Sequence, residues 1–307
     1  VKEIYISDYD GANQQRITIT RQLNINPSWS PDGRVLAYSA FRNNAPPDIF
    51  LSYIFQGVLK NLTSAPRAGD SLPVFSPDGT RILFHSTRDG ASAPDLYLIN
   101  VDGTGLRRLT NHPASETTPT WSPSGQQIAF VSDRSGGEGV WVMAVDGSDT
   151  TQISRGKRDK YDSPTWTPDG NYIIVTRGMN LHMYHVDGGA GARLIRAPTA
   201  GSAGPGGGSS NQRFMGAAVS PDGRYVWAAR RTGQWMYNTP LPDYQLVAYD
   251  RETGETEPVS VSRGVSPERV SGNTQDDGAS GYSRTIVSLR PDSKAASSRS
   301  VWGRISG

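Results

Sequence analysis

The sequence predicts an all-β ring of short-stranded blades, a β-propeller with six four-stranded blades, five of them clear repeats and one split between the two ends of the chain. Three observations predict it: a pentapeptide W/F-S/T-P-x-G that recurs, the near-constant spacing of its copies, and the same succession of strand-like segments inside each interval.

The pentapeptide stands at Trp29-Ser30-Pro31-Asp32-Gly33, Phe75-Ser76-Pro77-Asp78-Gly79, Trp121-Ser122-Pro123-Ser124-Gly125 and Trp166-Thr167-Pro168-Asp169-Gly170. Val219-Ser220-Pro221-Asp222-Gly223 is a weaker fifth copy. Its chemistry is that of a tight turn: Pro presets φ, Asp bonds back to the local backbone, and Gly takes the left-handed conformation without a Cβ clash. The recurring Asp invites a catalytic reading, but the third copy carries Ser124 instead, which a turn tolerates and a catalytic set does not. The aromatic residue ahead of each turn reads as core packed between blades.

The turn glycines are spaced 46, 46, 45 and 53 residues apart. The long last step contains 201–210, a Gly- and Ser-rich insertion without apolar periodicity, which the repeat absorbs as a loop. A unit in the mid-forties holding four short strands is the size of one blade.

Within each unit an apolar strand follows the turn, as in Arg81-Ile82-Leu83-Phe84-His85-Ser86. A polar turn comes next, then a third strand such as Asp95-Leu96-Tyr97-Leu98-Ile99-Asn100, a Val-Asp-Gly turn, and a short closing strand such as Leu106-Arg107-Arg108-Leu109-Thr110. Apolar residues at successive positions fit strands whose two faces are both covered, as when a blade sits between two neighbours.

Residues 2–20 match the outer half of a further blade, with Glu3-Ile4-Tyr5-Ile6-Ser7 as a third strand and Gln15-Arg16-Ile17-Thr18 as a fourth. Its inner strands are expected from the other terminus, which removes the open sheet edge. We therefore divide the chain into a propeller at 1–262 and a tail at 263–307 that is poor in apolar residues and is either disordered or a degenerate closing blade. Ser288-Leu289-Arg290-Pro291-Asp292-Ser293 is the candidate for a decayed turn in it.

Bulk properties narrow the function. The chain has 307 residues, 35% hydrophobic, enough for a sizeable core. A formal net charge of +2 without a basic stripe makes nucleic acid an unsuitable partner. No cysteine is present, which excludes disulfides and thiolate metal sites but leaves the compartment open. No segment has the roughly 20 apolar residues of a membrane span, so the chain is expected not to be membrane-spanning. Residues 1–10 do not read as a signal peptide, and the chain begins at Val1, which leaves room for an export signal or a domain ahead of it.

Catalytic motifs are absent. There is no G-x-S-x-G nucleophile elbow. His182 and His185 form an H-x-x-H pair whose odd separation on a strand puts the rings on opposite faces, so no metal and no cofactor is expected. Asp8-Tyr9-Asp10-Gly11 lacks the remaining ligands of a calcium loop and reads as a turn.

These repeats resemble the TolB-like propellers, which are built from WD40-like PD40 repeats and carry W-S-P-D-G turns and D-G-x-x-x-x-x-L-T closing strands. Ser7-Asp8-Tyr9-Asp10-Gly11-Ala12-Asn13-Gln14 and Asp102-Gly103-Thr104-Gly105-Leu106-Arg107-Arg108-Leu109-Thr110 carry the likeness most specifically. The α/β domain that precedes the propeller in that family is not in this sequence. Leu181-His182-Met183-Tyr184-His185-Val186-Asp187-Gly188-Gly189, Arg213-Phe214-Met215-Gly216-Ala217-Ala218 and Asp243-Tyr244-Gln245-Leu246-Val247-Ala248-Tyr249-Asp250 are similar instead to TolB-like propellers fused to metal-dependent amidohydrolases.

The resemblance implies a non-enzymatic, monomeric, periplasmic scaffold that binds a protein partner, a peptidoglycan-associated lipoprotein, at the channel mouth. The mouth is lined by the segments just before each turn, which places Asn24, Asn26, Asp70, Ser71, Leu72, Glu116, Thr117, Thr118, Tyr161 and Asp162 as rim candidates. The other reading of any one of them is a solvated loop tip. The rival function is a docking propeller of a larger amidohydrolase or peptidase.

Overall fold

The computed structural model describes residues 2–7, 13–20, 22–43, 45–89, 93–154, 159–195, 214–235, 242–258 and 283–288. Every regular element among them is a β-strand. Strands β1 (Lys2–Ser7) and β2 (Gln15–Arg16) form the predicted outer half-blade. The first full blade is β3 (Asn24–Trp29), β4 (Val35–Ala40), β5 (Asp48–Tyr53) and β6 (Val58–Asn61). The second is β7 (Asp70–Phe75), β8 (Arg81–Ser86), β9 (Asp95–Asn100) and β10 (Arg107–Arg108). The third is β11 (Glu116–Trp121), β12 (Gln127–Ser132), β13 (Gly139–Ala144) and β14 (Thr151–Gln152). The fourth is β15 (Tyr161–Trp166), β16 (Tyr172–Arg177), β17 (Asn180–His185) and β18 (Ala192–Ile195). The fifth is β19 (Phe214–Val219), β20 (Tyr225–Trp235), β21 (Pro242–Asp250) and β22 (Thr256–Pro258). Each of the five is an antiparallel meander.

The expected count of six four-stranded blades is corrected here: among the described residues there are five. The sixth sheet has three strands, because β23 (Ser283–Ser288) pairs with β1 in parallel register, Lys2 opposite Ser283 and Ser7 opposite Ser288. A closing meander needs an antiparallel hairpin of two inner strands. The 263–307 stretch supplies one described strand, around Thr285-Ile286-Val287, so a single parallel strand covers the β1 edge instead. Residues 289–293 of the suggested decayed turn, the 8–11 turn and the 201–210 insertion lie outside the described residues.

The repeated pentapeptide builds the same turn each time. Ser30 Oγ donates to Asp32 Oδ1 at 2.5 Å and accepts the Val35 N–H at 2.9 Å, while Asp32 Oδ1 accepts the Arg34 N–H at 3.1 Å. These bonds hold the Asp32, Asp78, Asp169 and Asp222 carboxyls below the usual range, Asp78 at about 2, chiefly through the hydroxyl of the Ser or Thr two residues earlier. In the third turn Ser124 fills the same role more weakly, 3.1 Å from Ser122 Oγ and 3.4 Å from the Gln126 N–H. Consecutive turns also nest: a Cβ on Gly79, whose φ is +72°, would come within 3.3 Å of Pro31 Cδ in the preceding turn.

The core lies between blades. Leu83, Leu98 and Leu109 of the second blade pack with Trp121, Ile128 and Met143 of the third, and Ile49, Leu51 and Leu62 of the first pack with Phe75, Ile82 and Phe84 of the second. Trp29, Phe75, Trp121 and Trp166 are all buried in such junctions. In the half-blade and the first three blades, the hydroxyl residue that ends the closing segment also bonds within its blade. The Thr18, Thr63, Thr110 and Ser154 hydroxyls accept the N–H of Ile4, Ile49, Leu96 and Val140 at 2.8, 2.9, 2.9 and 2.8 Å. That bond extends the ladder where the short fourth strand stops.

Candidate partner-binding rim

The first strand of each blade packs against the first strand of the next, so β3, β7, β11, β15 and β19 form the innermost layer. Every one of them carries a β-bulge near its start, where the register shifts between Ile25 and Ser28, Ser71 and Val74, Thr117 and Thr120, Asp162 and Thr165, and Met215 and Ala218. The residue at the bulge has positive φ: Asn26 (54°), Leu72 (59°), Thr118 (48°), Ser163 (53°) and Gly216 (63°). A proline follows it in the first four blades, Pro27, Pro73, Pro119 and Pro164. Proline donates nothing to a ladder and disfavours the helical region for the residue before it, so the chain leaves regular pairing at this point. Left-handed Leu72 and Thr118 cost roughly 1–3 kcal/mol each, and such strain concentrates at ligand sites. The donor freed by the bulge is taken up across the blade junction, with Leu72 N–H on Ser39 Oγ at 3.1 Å.

The ten rim candidates divide into two groups. Asn24, Asp70, Glu116 and Tyr161, each the first residue of its strand, are buried. Asp70 accepts the Arg88 guanidinium at 2.6 Å, and Glu116 pairs with Arg134. Burial pushes both carboxyls up; the Ser86 hydroxyl and Arg88 charge oppose this at Asp70, and the Thr110 hydroxyl and Arg134 charge oppose it at Glu116. Asn24 donates to Glu3 Oε2 at 3.1 Å, and Tyr161 Oη lies 3.4 Å from Tyr184 Oη. The Arg88, Arg134 and Tyr184 contacts lie within single blades, while Asn24 reaches the half-blade and the Thr110 hydroxyl reaches Glu116 from the second blade. Asn26, Ser71, Leu72, Thr117, Thr118 and Asp162 are half-exposed and sit at or beside the bulges.

Three arginines that sequence reasoning passed over stand at the same end of the first three blades as the rim candidates. Arg42, Arg88 and Arg134 each follow the second strand by two residues and lie over Phe50, Phe84 and Phe130, at 4.4, 5.4 and 5.3 Å from the ring centroids. The signal was present as an Arg at equivalent repeat positions, masked by its ordinary appearance in a polar turn. On the opposite face, Arg34, Tyr53, Phe55 and Gln56 line a cavity of about 310 Å³ at the outer corner of the first blade.

His182 and His185 do not converge. His182 stacks with Tyr184 at 6.3 Å, and burial together with Arg177 and Arg193 holds its imidazole below the ordinary value, whereas His185 meets Tyr172 edge-on at 5.1 Å. No group of three or more His, Asp or Glu positioned for a metal occurs among the described residues.

Comparison with known proteins agrees with this architecture. A segment of 53 residues is 43% identical to the Tol-Pal system protein TolB of Desulfosudis oleivorans, covering 17% of this chain and 12% of that protein. Another of 35 residues is 60% identical to the protein of the same name from Geobacter sulfurreducens, covering 11% and 8%. These matches span far less than two thirds of the curated relatives' length. Among solved structures, a putative TolB from Agrobacterium tumefaciens superposes with a TM-score of 0.62 at 20% identity over 80% of this chain and 83% of that one. TolB from Acinetobacter baumannii does so at 0.64 and 21% over 83% and 59%, and an oligogalacturonate lyase in complex with manganese at 0.57 and 14% over 83% and 71%. At such identities the superpositions speak for the fold alone. The family described as the TolB beta propeller domain matches residues 1–234, which is most of the chain, and the protein belongs to that family.

Proposed function

We propose that this chain is a non-enzymatic scaffold of the bacterial cell envelope, acting in the periplasm, that binds a protein partner of the peptidoglycan-associated lipoprotein type at the channel mouth. The observation that carries the reading is the ring of strained bulges on the innermost strands, within a chain of the TolB beta propeller family. A backbone held out of regular pairing at five equivalent points offers a partner preformed polar and apolar contacts with little ordering left to do. We assign the contact to Asn26, Ser71, Leu72, Thr117, Thr118 and Asp162, with Asn24, Asp70, Glu116 and Tyr161 holding them in place from behind. The partner-binding unit is the 1–262 segment, with β23 paired along its β1 edge.

The test is capture from a bacterial envelope extract by the purified chain, with a Thr117→Arg and Asp162→Arg double variant as control. Both positions are half-exposed, so the variant is expected to keep its melting temperature. Capture of a peptidoglycan-associated lipoprotein that the variant loses supports the reading. A folded chain that captures none overturns it, and the docking of a hydrolase domain becomes the reading to test.

A further inference from the structure

Arg42 stands apart from the two arginines it is equivalent to. In the second blade Arg88 is tied twice: its Nε–H donates to Ser86 Oγ at 3.0 Å and its Nη2 to Asp70 Oδ2 at 2.6 Å. In the third blade Arg134 repeats this, with Nε–H on Ser132 Oγ at 3.3 Å and Nη2 on Glu116 Oε1. The tethering pairs face each other across the first two strands, Asp70 opposite Ser86 and Glu116 opposite Ser132. In the first blade the same pair of positions holds Asn24 opposite Ala40. Both acceptors are thus replaced at once, the hydroxyl by a methyl group and the carboxylate by an amide.

The consequence is visible in the structure. Arg42 Nε and Nη2 are buried and have no hydrogen-bond partner among the described residues. The nearby Glu3 carboxylate accepts from Asn24 Nδ2 at 3.1 Å. What holds the guanidinium is its position over the Phe50 ring, 4.4 Å from the centroid. Nε and Nη2 form the side-on edge of a guanidinium, which matches the two oxygens of a carboxylate. An edge of that kind left without an acceptor in a buried setting is costly, and supplying one from outside relieves it.

We propose that Arg42 is the anion-recognition residue of the rim and takes a side-chain carboxylate, Asp or Glu, of the protein partner. The proposal rests on the reading of this face as the partner-binding one. No hydrogen bond among the described residues opposes the outward rotation that brings the edge to the partner, whereas Arg88 and Arg134 would each break two. Of the three equivalent arginines, Arg42 is therefore the one with its guanidinium edge available.

The experiment is side-chain 1H–15N NMR of the arginine Nε–Hε groups in the full chain, titrated with sodium acetate against sodium chloride at matched ionic strength. The Arg42 signal, assigned by its loss in Arg42→Lys, is expected to shift saturably with acetate in the millimolar range and not with chloride. An Asn24→Asp and Ala40→Ser double variant writes the second blade's tether into the first and is expected to weaken the response at least tenfold. Ala40→Ser alone, a milder change, is expected to give an intermediate loss. An Arg42 signal indifferent to acetate, or a folded double variant that responds like the parent chain, overturns the proposal. Envelope capture separates this from the functional reading. An acetate response without lipoprotein capture keeps the site and sinks that partner, while capture undiminished in Arg42→Lys keeps the partner and sinks the site.

Discussion

The junction between the second and third blades and the one between the third and fourth fill the same backbone slot with different chemistry. In the former, Glu116 is buried at the start of β11 and neutralised by Arg134, with Arg108 paired to Asp95 close by. In the latter, Tyr161 takes the place of the acid, with Tyr184 against it, and Arg177 occupies the position that Ser132 holds one blade earlier, donating to Tyr184 Oη at 3.0 Å and to Asp159 at 2.7 Å. The comparison teaches that one backbone slot accepts either charge or an aromatic pair, provided that the corner it builds is filled and hydrogen-bonded. The ionic solution carries a penalty the aromatic one avoids, since two charges must leave water and be matched in place.

The largest test of this equivalence is the aromatic core. Trp121→Ala and Trp166→Ala are each expected to cost roughly 3–5 kcal/mol in urea unfolding. Trp121 should be the costlier, because its indole N–H donates to Val74 O at 3.2 Å across the junction whereas the Trp166 N–H has no partner among the described residues. Equal costs would mean that the cross-blade bond contributes nothing.

Next comes the charge itself. Arg134→Ala strands a buried carboxylate and is expected to cost about 3–5 kcal/mol. Arg177→Ala leaves a partly exposed Asp159 and a phenol, and its cost should be under half of that, in the range of ordinary hydrogen bonds at about 0.5–1.5 kcal/mol each. Reversal of that order in matched unfolding curves would break the comparison.

The pH response should separate the two junctions more finely. Burial raises the Glu116 and Asp70 carboxyls in the folded chain, so the stability linked to them is fully present below their unfolded pKa and is lost as pH rises through the folded value. Glu116→Gln is therefore expected to reduce the fall in melting temperature on going upward from the ordinary carboxylate range, while Tyr161→Phe leaves that slope unchanged. A slope identical in Glu116→Gln and the parent chain would remove Glu116 from the account.

The smallest effect concerns the turns. Ser124→Asp, which restores the common form, is expected to gain about 0.5–1.5 kcal/mol at neutral pH. With the carboxyl of the equivalent Asp78 held at about 2, that gain is present above the unfolded value and disappears as pH falls toward 2. Chemical denaturation at pH 7 and at acid pH checks both the size and the sign.

Much of the fold was legible in the sequence for a plain reason. The turn is a local device of Ser, Pro, Asp and Gly, so its copies announce themselves, and they fix blade size and the buried aromatic positions together. The site was harder to read. Asp70 and Glu116 read as exposed rim residues because acids usually are, and their burial depends on Arg88 and Arg134 returning from the end of the second strand. The bulges left one trace, a proline two residues before the aromatic in four blades, yet nothing in Leu72 itself announces a positive φ.

The sequence by itself determined the repeat, the strand order within each blade and the apolar faces, because these follow from short-range turn chemistry and periodicity. Tertiary structure alone decided how the ring ends, with five full blades among the described residues and β23 laid parallel on β1, because strand pairing between distant segments depends on which edge is left open. It also decided which polar side chains are spent on the frame and which, like Arg42, are left with a free edge, since that depends on whether the strand pair beside each one is Asn24 with Ala40 or an acid with a serine.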